Sequence, residues 1–253
     1  MRNLMYRLYE AQLERQLDTS NIPQHIAVML DGNRRWADKK NGSKAKAGHT
    51  AGAQKIFDFL SWCDDLNVPV ITLYLLSTEN LKRRDSEELK DLLVILSELA
   101  REMVRRGRWK LRLVGNRDSL PSEFLKVLEQ SELDSKDTPG SQVNLAIGYG
   151  GRQEITDAMR SIVKDSINHG SDLEKLADSL TPELIAKHLY TSDQPDPDLI
   201  IRTSGEQRLS GFLLWQSSNS ELYFEEALWP DFRRVDFLRA IRAFARRHRR
   251  YGA

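Results

Sequence analysis

The sequence has one cysteine, almost no net charge and no long apolar run, and each scarcity excludes a class of protein. Cys63 stands alone, which excludes an internal disulfide and a cysteine-based zinc site and favours a reducing, cytoplasmic setting. The 38 basic and 37 acidic residues nearly cancel, so no overall charge predicts nucleic-acid binding. No run approaches the roughly 18–20 apolar residues that span a bilayer, and no signal-peptide pattern is present. A soluble protein is expected.

Short apolar runs alternate with helical patterns along the whole chain of 253 residues. The runs at 25–30, 70–76, 111–114, 143–147 and 199–201 are typical of buried strands. Helical periodicity marks 51–62, 86–104, 122–129, 154–163, 182–189 and 235–251. This alternation predicts a single α/β domain with a mainly parallel central sheet flanked by helices. Without repeats or low-complexity linkers, the sequence divides into an N-terminal helix (1–20) and one domain (21–253).

The first 17 residues form an amphipathic pattern with apolar side chains near one face. Arg2, Arg7 and Arg15 leave open a peripheral contact with a membrane surface. A helix docked on its own domain or on a partner is the favoured interpretation, because most such stripes face a core.

Polar clusters follow four of the predicted strands, at the ends where ligands bind in parallel α/β sheets. They are residues 31–36, 77–83, 148–152 and 202–210. Neither a dinucleotide-binding glycine pattern nor a Walker sequence occurs among them. Surface ion pairs or ordinary turns explain any one cluster. Their common placement instead indicates a binding site for an anion.

The chemistry of these clusters suits a diphosphate and a hard cation. Arg202 and Arg208 carry guanidinium groups that bind phosphate oxygens in pairs, and Gly205 lies between them. Asp31 and Glu221 are the candidate carboxylates for Mg²⁺, which commonly uses only one or two from the protein. Sequence spacing alone does not bring Asp31 and Glu221 together.

Five segments in order resemble the conserved regions of the cis-prenyltransferase family. They are HIAVMLDGNRRWA, GHTAGAQKI, LYLLSTENLKR, VNLAIGYGGRQEITDA and DLIIRTSGEQRLSGFLLWQSSNSELYFEEALWPDF. The family includes undecaprenyl diphosphate synthases and shorter-chain Z-prenyl diphosphate synthases, and the similarity is greatest to the short-chain Z-farnesyl diphosphate synthases of actinobacteria. The resemblance implies a fold around an apolar substrate tunnel and a reaction in which isopentenyl diphosphate is added to an allylic diphosphate.

The resemblance also implies a role for each matching residue. Asp31 would serve catalysis and hold Mg²⁺ with Glu221, and Asn80 would act in catalysis. The allylic diphosphate would lie among Gly32, Asn33, Arg34, Arg35, Trp36 and His49, with Ser77 and Arg83 nearby. Isopentenyl diphosphate would be bound by Arg202, Arg208 and Ser210. The ending Arg250-Tyr251-Gly252 would reach the partner's active site across a homodimer.

Three departures from the family pattern matter. Arg34 stands where a glycine is frequent, and Lys44-Ala45-Lys46 occupies a region that often holds an arginine. Arg34 or one of these lysines is therefore a candidate to replace the phosphate contact of that arginine. Leu81 replaces a common tryptophan. The proton acceptor stays open between a phosphate oxygen and a step linked to Asp31, since the Asn80 amide is no strong base.

Leu75 is a further departure and bears on product length. Long-chain members tend to have a small residue here, so the larger side chain predicts an early block of the tunnel and a short product. Z,E-Farnesyl diphosphate made from geranyl diphosphate is the main expectation. A longer polyprenyl product is the alternative, and Leu75 could instead simply face the sheet core. A non-catalytic subunit of this fold is disfavoured because Asp31, Asn80 and Arg202 are all present.

Overall fold

The computed structural model describes residues 2–17, 21–40, 44–170 and 172–247. Its centre is a sheet of six strands in which every neighbouring pair is parallel. The strands are β1 (His25–Met29), β2 (Val70–Ser77), β3 (Lys110–Val114), β4 (Gln142–Tyr149), β5 (Leu199–Arg202) and β6 (Glu221–Phe224). Their order is β3-β4-β2-β1-β5-β6. The predicted parallel α/β sheet is confirmed.

Helices cover the sheet and connect its strands. Among the described residues they are α1 (Arg2–Arg15), α2 (Asn33–Lys39), α3 (Ala45–Asp65), α4 (Thr78–Arg83), α5 (Ser86–Arg106), α6 (Ser122–Ser135), α7 (Gly151–Asn168), α8 (Leu173–Ser179), α9 (Pro182–Lys187) and α10 (Arg234–Arg246). The predicted start of α5 at Ser86 is confirmed. Asp85 caps it by accepting hydrogen bonds from the backbone N–H groups of Glu87 and Glu88 at 2.9 and 3.4 Å.

The two faces of the sheet carry cores of different size. The larger core packs α3, α5, α6 and α10 against the sheet, and Phe59 and Trp229 lie within it fully buried. The smaller core covers the opposite face with Phe212 and Leu213, which pack near Tyr149. Apolar side chains on both faces explain why the strands are continuous apolar runs instead of alternating ones.

Short elements escaped the sequence analysis. Gly32 adopts a φ of 108°, and Asn33 begins the seven-residue helix α2, which was not predicted from the sequence. The short helices α4 and α8 and the four-residue strand β6 contain too few residues for a clear period. The last helix was expected to run to residue 251; α10 ends at Arg246, and residues 248–253 lie outside the described ranges.

The N-terminal helix packs on the domain, as the favoured interpretation expected. Leu13 is fully buried against Val235 and Leu238 of α10. The guanidinium of Arg239 lies 5.3 Å from the centre of the Tyr9 ring. The described part of this apolar face therefore packs against α10. Within the described ranges, every helix is too short or too polar to cross a bilayer.

A line of hydrogen bonds inside the sheet begins at the buried imidazole of His25. Its Nδ1 lies 2.7 Å from the carbonyl oxygen of Pro195, and its Nε2 lies 2.8 Å from Oγ1 of Thr72. Asn144 Nδ2 donates to the same Thr72 oxygen at 2.9 Å. A carbonyl can only accept, so Nδ1 carries the proton and Nε2 accepts from the threonine hydroxyl. Burial lowers the pKa of His25 from 6.5 to about 4.

His25 is therefore expected to make folding less stable as the pH falls from 6.5 towards 4. Between these pH values the His25 imidazole binds a proton in the unfolded chain but not in the folded chain. The contribution of neutral His25 to the free energy of unfolding is therefore fully present above pH 6.5. We expect a loss of about 2 kcal/mol between pH 7.5 and 5 from this residue. Urea unfolding of the wild type and of His25→Gln at both pH values measures it. Equal pH dependence in the two proteins would refute the expectation.

Candidate active site

Asp31 lies just beyond the carboxyl end of β1, where the strand order reverses between β2 and β5. The Thr203 side chain positions it: Thr203 Oγ1 accepts from the Asp31 backbone N–H at 3.0 Å and donates to the Asp31 carbonyl oxygen at 2.8 Å. The Asp31 carboxylate then meets two guanidinium groups, with Oδ2 at 2.8 Å from Arg202 Nη2 and Oδ1 at 3.8 Å from Arg35 Nη2. The Asp31 carboxylate thus lies between two guanidinium groups at the carboxyl end of β1.

The loop after Asp31 depends on glycines at close approaches. A Cβ on Gly32 would come within 2.8 Å of Leu228 Cδ2, and the φ of 108° also favours glycine. A Cβ on Gly48 would lie 2.1 Å from the carbonyl oxygen of Asn33, and one on Gly52 would lie 2.4 Å from Asn33 Oδ1. Two glycines of α3 therefore let Asn33 and α2 pack directly against it.

Arg202 ends β5 and anchors a second group of donors. Its side chain is only 5% exposed. Its Nη1 donates to Ser210 Oγ at 3.1 Å and to the carbonyl oxygen of Arg208. Ser204 and Gly205 turn the chain with φ values of 83° and 75°. Arg202 Nε and Ser204 Oγ are buried and have no hydrogen-bond partner among the described residues, so this group has donors left for a ligand.

The end of β2 forms the wall opposite the Arg202 group. Ser77 Oγ accepts a hydrogen bond from the Asn80 backbone N–H at 3.0 Å and so caps α4. The cap holds the helix that presents Asn80 and Arg83 to the cavity. The Tyr74 ring stacks on Phe212 with the ring centres 4.5 Å apart, and burial raises the Tyr74 pKa to about 12.

A third group joins α3 to the start of α5. His49 Nε2 lies 3.0 Å from Glu88 Oε1, and Arg84 Nη1 lies 3.1 Å from the same His49 nitrogen and 2.5 Å from the same Glu88 oxygen. Arg34 Nη1 is 3.9 Å from Glu88 Oε2. Burial lowers the pKa of His49, which favours its neutral form. His49 and Arg34 were predicted at this site from the sequence, whereas Arg84 and Glu88 were not.

These groups surround a cavity of about 610 Å³. Of the predicted site residues it is lined by Asp31, Asn33, His49, Leu75, Ser77, Asn80, Arg83, Arg202, Arg208 and Ser210. Its apolar part is formed by Ala53, Ile56, Leu92, Ile95, Leu96 and Trp229. Polar groups at the strand ends and an apolar interior fit a ligand with an anionic head and a hydrocarbon tail.

Leu75 lies at an irregularity of β2, between the paired residues Tyr74 and Leu76. Its side chain lines the cavity and packs against the larger core. The alternative that Leu75 faces only the sheet core is therefore not what the structure has. The Leu75 side chain therefore forms part of the cavity wall.

Some predicted site residues lie outside this cavity. The Trp36 indole N–H donates to Asp231 Oδ1 at 2.8 Å, and Trp36 does not line the cavity. Gly32, Arg34 and Arg35 border the site without lining the cavity. Lys46 Nζ is bound to Asp91 Oδ1 at 2.8 Å. Arg250, Tyr251 and Gly252 lie outside the described residues.

Glu221 is far from Asp31 within one chain. Glu221 begins β6 and is paired with Leu199, whereas Arg202 is paired with Phe224 at the other end. Three residues of strand separate the two ends by roughly 10 Å. The Glu221 carboxylate forms an ion pair with Arg247. One chain therefore does not assemble the predicted metal pair of Asp31 and Glu221.

Comparison with known proteins agrees on one family. A family model described as undecaprenyl diphosphate synthase matches residues 29–252. Isoprenyl transferase 1 of Streptomyces avermitilis is 53% identical over 100% of this chain and 97% of its own. The (2Z,6E)-farnesyl diphosphate synthase of Thermobifida fusca is 52% identical over 98% of this chain and 97% of its own. A crystal structure of lavandulyl diphosphate synthase from Lavandula x intermedia with dimethylallyl diphosphate superposes with a TM-score of 0.83 at 32% identity, covering 91% of this chain and 98% of that one.

Proposed function

This chain belongs to the undecaprenyl diphosphate synthase family of cis-prenyltransferases, and we propose that it makes a short Z-prenyl diphosphate. Its substrates would be isopentenyl diphosphate and an allylic diphosphate, with geranyl diphosphate as the preferred primer. The observation that carries the proposal is the placement of Asp31 and Arg202 at the mouth of a cavity whose interior is apolar.

The cavity offers two separate places for a diphosphate. Arg202, Arg208 and Ser210 form one cationic side, which we assign to isopentenyl diphosphate. Asn33, His49 and Arg83 form the other, which we assign to the allylic diphosphate. Guanidinium and backbone N–H donors bind phosphate oxygens strongly, and the apolar interior would exclude water from the cationic allylic carbon.

In the proposed reaction the bond from the allylic carbon to its diphosphate oxygen breaks. The double bond of isopentenyl diphosphate supplies the electron pair for the new carbon–carbon bond. A C–H bond beside the resulting cation then breaks, its electrons form the cis double bond, and the proton passes to a phosphate oxygen or to a group linked to Asp31. The diphosphate leaves with the bonding electrons, so negative charge grows beside His49 and Arg83. Donors already fixed around that charge lower the barrier most effectively.

Mg²⁺ is the cofactor that Asp31 fits. The Asp31 side chain is 37% exposed and lines the cavity, and its Oδ1 lies 3.8 Å from Arg35 Nη2. A Mg²⁺ ion commonly binds one or two protein carboxylates and takes substrate phosphates and water as its other ligands. When bound there, Mg²⁺ neutralises charge on the departing diphosphate. Asp31 and Arg202 together would hold the cation and the phosphates in register.

A short product is supported by Leu75 in the cavity wall and by the named product of the Thermobifida fusca relative. The alternative is a longer polyprenyl diphosphate, which needs space beyond Leu75. The two outcomes differ in the products that one enzyme preparation makes.

The test is incubation of the purified protein with Mg²⁺, labelled isopentenyl diphosphate and either geranyl or farnesyl diphosphate. We expect label in Z,E-farnesyl diphosphate with the geranyl primer, and no incorporation after chelation with EDTA. Extended products from the farnesyl primer would favour the longer-chain alternative. If neither primer gives incorporation of label, the proposal that this chain is a prenyltransferase is wrong.

We further propose a homodimer in which Glu221 serves the partner's site. Strand β6 is the edge of the described sheet, and an unpaired edge is a ready surface for a second copy. Glu221 lies at the amino end of β6 and forms an ion pair with Arg247, and Arg250 to Gly252 come three to five residues after Arg247 in the sequence. If two edges meet antiparallel about a two-fold axis, the amino end of one β6 lies beside the carboxyl end of the other.

Mixed dimers test this arrangement. Coexpressed Asp31→Asn and Glu221→Gln chains, isolated through two different tags, contain one intact site per mixed dimer if Glu221 acts across the interface. We expect recovery of about half of the wild-type activity in that isolated mixed dimer. The matched control pairs Asp31→Asn with Arg202→Gln, which both lie in one chain's cavity and should give no recovery. Equal activity of both mixtures would refute the shared site.

A further inference from the structure

Arg84 has a position in the cavity that the proposed chemistry does not yet use. It follows α4 and precedes the cap of α5, and it lines the cavity together with His49 and Arg83. Its side chain is 13% exposed, and its Nε is buried with no hydrogen-bond partner in the described part of the chain. A buried guanidinium with an unused donor indicates a binding partner that comes from outside the protein.

The charge around Arg84 is positive on balance, which favours the binding of an anion. Arg84 and Arg34 share one carboxylate, that of Glu88, at 2.5 and 3.9 Å. His49 contributes no negative charge and lies 3.1 Å from Arg84. Two guanidinium groups on one carboxylate leave about one positive charge at this side of the cavity.

Two other cations, Lys46 and Arg34, are placed less well than Arg84 to bind a ligand in the cavity. Lys46 is 57% exposed and its ammonium is bound to Asp91 at 2.8 Å. Arg34 is 61% exposed and does not line the cavity. Arg84 is therefore the cation of this group that combines burial, an open donor and contact with the cavity.

We propose that Arg84 binds the diphosphate of the allylic substrate, on the side of the cavity formed by Asn33 and His49. This inference rests on the proposed function and adds to it one residue that binds the allylic substrate. The guanidinium fork offers Nε and one Nη to two phosphate oxygens, while Glu88 keeps the group oriented. His49, held by the same Glu88 oxygen, lies beside the bound phosphate.

A purely structural role is the competing explanation, because the Glu88 ion pair also ties the start of α5 to His49 on α3. The two roles differ in kinetics. A tie between helices affects both substrates and the melting temperature together. A phosphate ligand affects the allylic substrate alone.

The experiment compares Arg84→Gln, Arg84→Lys and the matched control Lys90→Gln, which removes an exposed cation of α5 that does not line the cavity. For Arg84→Gln we expect the KM for geranyl diphosphate to rise about tenfold, with the KM for isopentenyl diphosphate changed less than about twofold. Arg84→Lys should recover part of the loss, since lysine keeps the charge without the fork. Lys90→Gln should match the wild type in both constants.

A parallel rise of both KM values with a lower melting temperature would overturn the proposal, as would unchanged values in Arg84→Gln. Calorimetric titration with inorganic pyrophosphate tests the same contact without catalysis. There we expect weaker binding by about tenfold in Arg84→Gln. Equal pyrophosphate affinity would overturn the Arg84 role even in a protein that shows no prenyl transfer, whereas weaker binding without any turnover would refute only the proposed function.

Discussion

Replacing Asp31 with asparagine is expected to lower kcat by about 10²–10³-fold with geranyl diphosphate as the primer. The amide keeps the size of the carboxylate but removes the charge that would hold Mg²⁺ at the leaving diphosphate. It also leaves Arg202 Nη2 without the anion that now lies 2.8 Å away. Steady-state incorporation of labelled isopentenyl diphosphate across a Mg²⁺ titration measures the effect.

Asp231→Asn is the matched control, since the Asp231 carboxylate lies outside the cavity and accepts from the Trp36 indole N–H at 2.8 Å. It should retain wild-type turnover. An Asp31→Asn protein with more than about a tenth of wild-type kcat at saturating Mg²⁺ would contradict the metal role of Asp31. Circular dichroism and the melting temperature show whether the variant is folded, so that a loss of activity can be assigned to the charge.

Replacing Leu75 with alanine is expected to shift the main product from a short to a longer prenyl diphosphate. The change removes the isobutyl group where β2 is irregular, directly at the cavity wall. A growing chain that overlaps a packed side chain pays about 1–3 kcal/mol, which is enough to stop elongation relative to product release. Chromatography of radiolabelled products from the geranyl primer measures the distribution.

Leu75→Met is the control for this change, because leucine and methionine have similar volumes and the swap usually costs little. It should retain the wild-type product distribution. An unchanged distribution in Leu75→Ala would show that the chain end is limited elsewhere, with Ile95 and Leu96 as the next residues of the apolar wall. Longer products in both variants would instead indicate a loosened β2.

The strand ends were predictable because a parallel sheet leaves a strong local signal. Strand β1 is buried at all five positions, and so it appears as a continuous apolar run followed at once by Asp31. The same pattern identified Arg202 at the end of β5 and Ser77 at the end of β2. Elements with few residues left no such signal: β6 has four residues and α4 has six.

Arg84 and Glu88 illustrate what local patterns could not provide. Arg84 was visible only as one more basic residue after Lys82 and Arg83, and Glu88 as an acidic residue in the first turn of α5. Their importance depends on the approach of His49 from α3, which is 35 residues from Arg84 along the chain. Contacts between elements so far apart follow from packing, which sequence periodicity does not describe.

The sequence by itself determined the strand–helix alternation, the polar residues at the strand ends and the family. These properties are local in the chain, because periodicity and motifs are written in neighbouring residues. Only the tertiary structure decided which of those residues share a cavity. The order β3-β4-β2-β1-β5-β6 brings Asp31 to Arg202 across 171 residues and separates both from Glu221. The physical reason is that strand order and register set these distances, whereas spacing along the chain does not.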